Sequence, residues 1–145
     1  MNFVHSDLKA SNILCEHDSI KISYKAFISD FGSARLRGTK AISFTNGFCP
    51  PEIYSKPLDF SADIYSLGKL FIELFTGKKN VGDINIGNYF SKVEKFCFIL
   101  SGNVIYNFFE FYYLVKNCLN VDPDERPTLS KFKTFLNNQH WKRIY

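Results

Sequence analysis

Three polar side chains near the start of the chain, each placed beside short apolar runs, constrain the fold more than any other feature. Asp7 and Asn12 follow the apolar pair Phe3-Val4, and Asp30 closely follows Ala26-Phe27-Ile28. Short apolar runs bounded by polar turns predict β-strands, so we expect these side chains at strand ends. The β-prone runs are Phe3-Val4, Ile13-Leu14-Cys15, Ile20-Lys21-Ile22 and Ala26-Phe27-Ile28.

Helical periodicity dominates the rest of the chain. Between Leu58 and Thr76 apolar residues recur at three- and four-residue intervals, and Gly77 follows as a stop signal. A second helical pattern runs from Ile105 to Leu119, and its aromatic part, Tyr106 to Val115, predicts a buried helix. A third pattern runs from Thr128 to Leu136. The predicted fold class is therefore α+β, mainly α, with a few short strands.

Composition excludes several classes of protein. The 145 residues are 46% hydrophobic, which excludes a disordered chain, and the 17% aromatic content fits an ordinary core or a coding bias better than an aromatic ligand cage. The net charge of +4 is scattered and gives no basic stripe, so no nucleic-acid partner is expected. The cysteines form no C-x-x-C pair, which argues against zinc. Without a signal peptide or a long apolar run, we expect no membrane association and an intracellular location, cytoplasmic or nuclear.

Four sequence blocks occur in an order that one enzyme family shares. The first resembles H-R-D-L-x-x-x-N followed by D-F-G, and its Lys9 is typical of serine/threonine enzymes. The chain thus resembles the eukaryotic-type protein kinase family, serine/threonine type, from Phe3 to about Phe135. The blocks are His5-Ser6-Asp7-Leu8-Lys9-Ala10-Ser11-Asn12 with Asp30-Phe31-Gly32, then Thr45-Asn46-Gly47-Phe48-Cys49-Pro50-Pro51-Glu52, then Asp63-Ile64-Tyr65-Ser66-Leu67-Gly68, and last Asn117-Cys118-Leu119 with Asp122-Pro123-Asp124-Glu125-Arg126-Pro127-Thr128.

The resemblance implies a protein-kinase-like C-terminal lobe whose N-terminal lobe is absent and which is truncated. Residues 1–145 would be a partial protein kinase domain. Its parts would be a catalytic loop at 5–12, the D-F-G motif and activation segment at 30–52, and a helical subdomain at 58–139.

The resemblance also implies roles for the residues of the site. Asp7 would orient the substrate hydroxyl and Lys9 would contact the transferring phosphate. Asn12 and Asp30 would bind the magnesium ion and, through it, the nucleotide, while Leu14, with Leu70 and Leu74, would lie below the adenine. Taken singly, an Asp in a loop is more often a turn former, and Lys9 could be a solvated surface charge.

Other residues would support the site without touching substrate. His5 and Phe31 would belong to a hydrophobic column, with Gly32 completing the D-F-G motif, and Thr45 would pair with Lys9. Asp63 would accept backbone N–H groups of the catalytic loop, and Glu52 and Arg126 would form a buried ion pair.

Two departures from the family pattern matter. Ser6 stands where regulated kinases carry Arg, so clamping of an activation-loop phosphate is not expected. No G-x-G-x-x-G-x-V, no V-A-I-K lysine and no helix precede the catalytic loop, and Gly82 and Gly87 lie in the wrong place to replace the glycine-rich loop. Losing one wall of a nucleotide site should cost many orders of magnitude in rate.

Three hypotheses about function remain open. The chain could be inactive or nearly so on its own, with no tightly bound cofactor. It could instead be part of an active ATP-dependent protein serine/threonine kinase, using ATP and Mg²⁺, completed by a missing N-terminal lobe encoded upstream or supplied by a partner. The substrate would then be a protein with a Ser or Thr acceptor. The third possibility is a non-catalytic interaction module.

Overall fold

The computed structural model describes residues 2–19, 23–77 and 103–138. The strands in these ranges are β1 (Phe3–Val4), β2 (Ile13–Asp18), β3 (Ser23–Ile28) and β4 (Arg35–Leu36). The α-helices are α1 (Phe60–Thr76), α2 (Asn103–Cys118) and α3 (Leu129–Asn138). Short 3-10 turns occupy Ala10–Asn12, Phe31–Ser33, Pro51–Tyr54 and Pro123–Glu125.

The strands form two small antiparallel sheets, and the loops that bear Asp7 and Asp30 follow strands of these sheets. β1 pairs with β4, with Val4 opposite Arg35. β2 and β3 form a hairpin in which Ile13 lies opposite Ile28 and Leu14 opposite Phe27. The predicted strand ends are thus where the loops bearing Asp7 and Asp30 begin. The β-prone run 20–22 lies outside the described residues, as do Gly82, Gly87 and Cys97.

Helix α1 ends where the sequence predicts but begins later. Gly77 adopts a left-handed φ of 64° and its N–H bonds the Glu73 carbonyl at 3.0 Å, which is a typical glycine C-cap. The pattern predicted a start at Leu58, whereas the helix begins at Phe60. Leu58 is buried in the preceding loop, where its N–H donates to the Thr39 carbonyl at 2.8 Å. Leu58 is therefore a core residue although it lies outside the helix.

Helices α2 and α3 pack with α1 around the main apolar core. One cluster joins Ile72 of α1 to Phe111, Tyr112 and Val115 of α2, and another joins Ile64 to Cys118 and Phe132. Tyr113, in contrast, is 49% exposed. The predicted buried helix is thus buried at Phe111, Tyr112 and Val115 but exposed at Tyr113.

A close helix contact occurs at Gly68. A Cβ atom placed there would lie 2.7 Å from the Cβ of Cys118, closer than real Cβ atoms approach. Because glycine has no side chain, the backbone of α1 at Gly68 can lie directly against the Cys118 side chain at the C-terminal end of α2.

The predicted fold class, α+β and mainly helical with a few short strands, is confirmed. The division of the helical subdomain at 58–139 stays a prediction, since 78–102 and 139 lie outside the described residues. Within the described ranges, no helix combines the length and apolarity needed to cross a membrane.

Candidate active site

The loop after β1 is held by a carboxylate from α1. Asp63 accepts the backbone N–H of His5 at 2.7 Å and that of Ser6 at 2.9 Å, one on each oxygen. Burial raises the pKa of Asp63 above its usual value, although the two N–H bonds act in the opposite direction. Ser6 has a φ of 69°, a conformation that non-glycine residues rarely adopt. The two hydrogen bonds that Asp63 accepts hold the loop in this turn, and the Ser6 side chain is buried.

His5 joins the loop to the end of β3. Its Nδ1 accepts the Asp7 backbone N–H at 3.3 Å, and its Nε2 lies 3.0 Å from the Ser29 carbonyl oxygen. A single neutral tautomer, protonated on Nε2, satisfies both bonds. The imidazole also packs against the Phe31 ring at a centroid distance of 5.1 Å.

Asp7 lies in a pocket of hydrogen-bond donors. The Lys9 ammonium donates to Asp7 Oδ2 at 2.8 Å and to the Thr45 hydroxyl at 2.7 Å. Burial, the largest single influence, raises the pKa of Asp7, but hydrogen bonds from Lys9 and Thr45 and the Lys9 charge outweigh it, so the pKa lies below its usual value. The carboxylate is therefore ionised at neutral pH. Its other oxygen, Oδ1, is buried and has no hydrogen-bond partner among the residues that the structure describes.

Asn12 closes the loop from the other end. Its side-chain Nδ2 donates to the Asp7 backbone oxygen at 2.9 Å. The residue is buried and ends the turn Ala10–Asn12. Because the side-chain amide nitrogen already donates this hydrogen bond, the side-chain amide oxygen is the atom that can accept a hydrogen bond or coordinate a metal ion.

Asp30 is set by a left-handed turn at the end of β3. Its φ is 60°, and its Oδ1 accepts the Gly32 backbone N–H at 3.4 Å. A Cβ at Gly32 would lie 3.2 Å from that same oxygen, so any larger residue there would crowd the carboxylate. Unlike Asp7, Asp30 is exposed.

The leucines predicted to lie below an adenine do not share one surface. Leu70 is buried and lines a groove of about 520 Å³ together with Ile13, Ile28 and Phe31. Leu14, next to Ile13 on β2, projects from the opposite face of the hairpin and is 58% exposed. Its cross-strand neighbour Phe27 is 49% exposed. Leu14 and Phe27 thus form an exposed apolar pair on the β2–β3 hairpin.

The predicted ion pair between Glu52 and Arg126 is present. The two terminal guanidinium nitrogens of Arg126 donate to the two carboxylate oxygens of Glu52 at 2.5 and 2.7 Å, which is a bidentate geometry. Further guanidinium bonds go to the carbonyls of Ser61 at 3.0 Å and Asn120 at 2.9 Å. The side chain of Arg126 is 0% exposed and that of Glu52 12%, so solvent screens this pair little.

The family model of the protein kinase domain, which describes the sequences of that family, matches residues 1–140 of this chain. The chain belongs to the protein kinase family. The similarity predicted from the motifs is thereby confirmed.

Curated relatives of this kinase-family chain include plant receptor-like kinases. The chain is 29% identical over 159 residues to the brassinosteroid LRR receptor kinase BRL3 of Oryza sativa subsp. japonica, with 93% of the chain covered. It is 32% identical over 161 residues to the cysteine-rich receptor-like protein kinase 25 of Arabidopsis thaliana, with 95% covered. It is 35% identical over 99 residues, 63% of the chain, to the probable serine/threonine-protein kinase PBL6 of Arabidopsis thaliana. The matches span 12%, 23% and 22% of these three relatives.

Kinases use ATP with magnesium, and the donor atoms present here fit a magnesium ion. Mg²⁺ takes few protein oxygens beside nucleotide phosphates and water, and the Asp30 carboxylate and the Asn12 amide oxygen are donors of the type that it prefers. A site dependent on protein ligands alone would need more donors. Among the described residues, no group of three or more His, Cys, Asp and Glu side chains is placed to hold a metal ion.

Ser29 is a residue of this candidate site that the motifs did not single out. Its backbone N–H and its hydroxyl both donate to the Asn12 backbone oxygen, at 2.9 and 3.0 Å, and its carbonyl faces His5. The only signal in the sequence is a small polar residue directly before Asp30. That signal is too common to interpret without the fold.

Proposed function

We propose that this chain carries the acceptor and metal sides of an ATP-dependent protein phosphotransferase that modifies serine and threonine. In this proposal Asp7 orients the acceptor hydroxyl, Lys9 contacts the transferring phosphoryl group, and Asn12 and Asp30 hold the magnesium ion. Membership of the kinase family supports the general activity. The roles of individual residues are supported by the geometry around Asp7.

The unpartnered Oδ1 of Asp7 is the observation that carries the proposal. A buried carboxylate oxygen without a donor is unfavourable, and such atoms in native proteins call for an explanation. A substrate hydroxyl would supply the missing donor. Because Lys9 and Thr45 lower the pKa of Asp7, the carboxylate is in the form that can accept that hydrogen bond.

Lys9 is placed to act on the same reaction. Its ammonium, bonded to both Asp7 and Thr45, lies where negative charge would develop beside the acceptor hydroxyl. Preorganised positive charge of this kind stabilises a transition state more than a ground state. Magnesium, when bound with nucleotide, would neutralise the phosphate oxygens, and Asn12 and Asp30 are the residues that would hold it.

We further propose that the 145-residue polypeptide alone is inactive or nearly so. In this proposal a base would lie on the apolar pair Leu14 and Phe27, and about half of each residue is open to solvent. Activity would then require a second lobe, from upstream sequence or a partner, that covers the nucleotide.

The test is phosphotransfer from radiolabelled ATP to a mixed protein acceptor, by the chain alone and by the chain joined to the nucleotide-binding lobe of a related kinase. The joined form should label only Ser and Thr. Asp7→Asn should lower the rate by about 10²- to 10⁴-fold with nucleotide affinity unchanged, whereas Asp30→Asn should also weaken magnesium-dependent nucleotide binding.

Asp124→Asn is the matched control, because Asp124 is exposed and distant in sequence from the loop. It should retain full activity. Full activity in Asp7→Asn would overturn the assignment, and a joined form that folds and binds ATP but transfers no phosphate would favour an interaction module.

A further inference from the structure

We propose that Ser29 is a positioning residue that sets the two magnesium-binding side chains, Asn12 and Asp30, relative to each other. The inference rests on the metal site of the proposed function. Ser29 would act on Asn12 through hydrogen bonds to the Asn12 backbone oxygen, and on Asp30 through the peptide bond that joins Ser29 to Asp30.

The first step is the convergence of two donors on one oxygen. The backbone N–H of Ser29 reaches the Asn12 carbonyl at 2.9 Å, and the Ser29 hydroxyl reaches the same oxygen at 3.0 Å. A carbonyl oxygen has two lone pairs, so it can accept both bonds. The backbone of Asn12 is therefore held to the end of β3 from two directions.

The backbone of Asn12 controls where its amide oxygen lies. The amide nitrogen is bonded to the Asp7 backbone oxygen at 2.9 Å, which fixes the rotation of the amide group. With both the backbone and the amide nitrogen held, the amide oxygen has one position. Loss of the Ser29 hydroxyl removes one of these restraints.

The second step concerns Asp30. The carbonyl of Ser29 belongs to the peptide bond that leads into Asp30, and His5 Nε2 holds that carbonyl at 3.0 Å. The orientation of this peptide plane determines how Asp30 enters its left-handed turn, with φ at 60°. Ser29 thus contacts the backbone of one proposed ligand and precedes the other.

Side-chain groups that orient metal ligands tune metal affinity without touching the metal. The N–H bond survives when Ser29 is replaced, so only the hydroxyl contribution is lost. A single neutral hydrogen bond of this kind corresponds to about a two- to tenfold change in an equilibrium constant.

The experiment uses Mn²⁺ with ADP as a paramagnetic probe of the isolated chain, read by NMR line broadening. This readout detects weak binding and needs no catalysis. In the unsubstituted chain, the side-chain amide of Asn12 and the backbone amide of Gly32 should both broaden. Ser29→Ala should require about two- to tenfold more Mn²⁺ for broadening at both Asn12 and Gly32, because the two ligands share one bound ion.

Two further variants separate positioning from a general structural effect. Ser29→Thr keeps the hydroxyl and should restore the Asn12 response, so it also serves if Ser29→Ala fails to fold. Ser55→Ala removes another hydroxyl that bonds a backbone carbonyl, that of Glu52 at 3.3 Å, and should change neither signal.

The outcomes distinguish the two proposals. Broadening in the unsubstituted chain that Ser29→Ala leaves unchanged would overturn the role of Ser29 and leave the proposed metal site intact. Absence of broadening at both Asn12 and Gly32 in the unsubstituted chain would overturn the metal site and the role of Ser29 together. A Ser29→Thr variant that folds but behaves like Ser29→Ala would also overturn the role of the hydroxyl.

Discussion

At the scale of single residues, Arg126 shows how one side chain can join distant parts of the chain. Its guanidinium binds Glu52 in the 3-10 turn Pro51–Tyr54 and the carbonyls of Ser61 in α1 and Asn120 after α2. It also lies 5.0 Å from the centre of the Tyr65 ring. The buried charge is thus paired, hydrogen-bonded and covered by an aromatic face.

Removing this side chain should be severe. In Arg126→Ala the Glu52 carboxylate loses its partner in a poorly solvated position, and we expect a loss of about 3–5 kcal/mol in the free energy of unfolding. Lys133→Ala is the control, because Lys133 lies on the exposed face of α3 and should change stability by less than about 0.5 kcal/mol. Denaturant midpoints of both variants give the comparison. Equal midpoints would show that the ion pair contributes nothing.

At the scale of elements, the contact between α1 and α2 depends on the absence of a side chain. In α1, residue 68 faces Cys118, which is fully buried, and Leu119 lies at 3.0 Å from the place a Cβ would take. Helices that approach this closely need a small residue at the crossing point. The intrinsic preference of helices for alanine over glycine therefore conflicts here with packing.

Gly68→Ala tests which effect is larger. Propensity alone would stabilise the helix by about 1 kcal/mol, whereas forcing a methyl group into the contact should cost about 1–3 kcal/mol. We expect the variant to have a lower melting temperature than the unsubstituted chain. A higher melting temperature would mean that the two helices are further apart at this point.

The elements also show what the sequence can and cannot reveal. The C-terminal end of α1 was predictable because glycine there has a local, conformational reason. The start was missed because Leu58 is apolar like a helix-face residue but is buried in a loop. Ser29 was missed because its role depends on which backbone oxygens the fold brings near it. Local signals are thus readable, whereas contacts between distant backbone atoms are not.

At the scale of the whole molecule, the described part of the chain is well packed around α1 and open at the hairpin. The Glu52–Arg126 pair and the Asp63 bonds bind the loops to the helical core. The Leu14 and Phe27 side chains have no comparable cover. Asp7, Lys9 and Asn12 are therefore held by more contacts than the two residues proposed for the base, whereas Asp30 is exposed as they are.

This asymmetry predicts weak nucleotide binding by the 145-residue chain. Calorimetry with ATP and Mg²⁺ at millimolar nucleotide should show no micromolar affinity, because an adenine would gain contact on one side only. A dissociation constant near 10 μM, which corresponds to about −7 kcal/mol, would contradict the prediction. Asp124→Asn, an exposed position far in sequence from the hairpin, should leave the affinity unchanged and controls for nonspecific charge effects.

The ion pair between Glu52 and Arg126 also has a consequence for the order of folding. Its partners are 74 residues apart in sequence, whereas the outermost hairpin partners, Ile13 and Ile28, are much closer. Closing the longer loop costs about 1.4 kcal/mol more in chain entropy. The hairpin should therefore form early, in about 1–10 μs, and the ion pair should form late, after α1 and α2 have met. During synthesis, the β2–β3 hairpin could therefore form on the ribosome well before Arg126 has emerged to make this link.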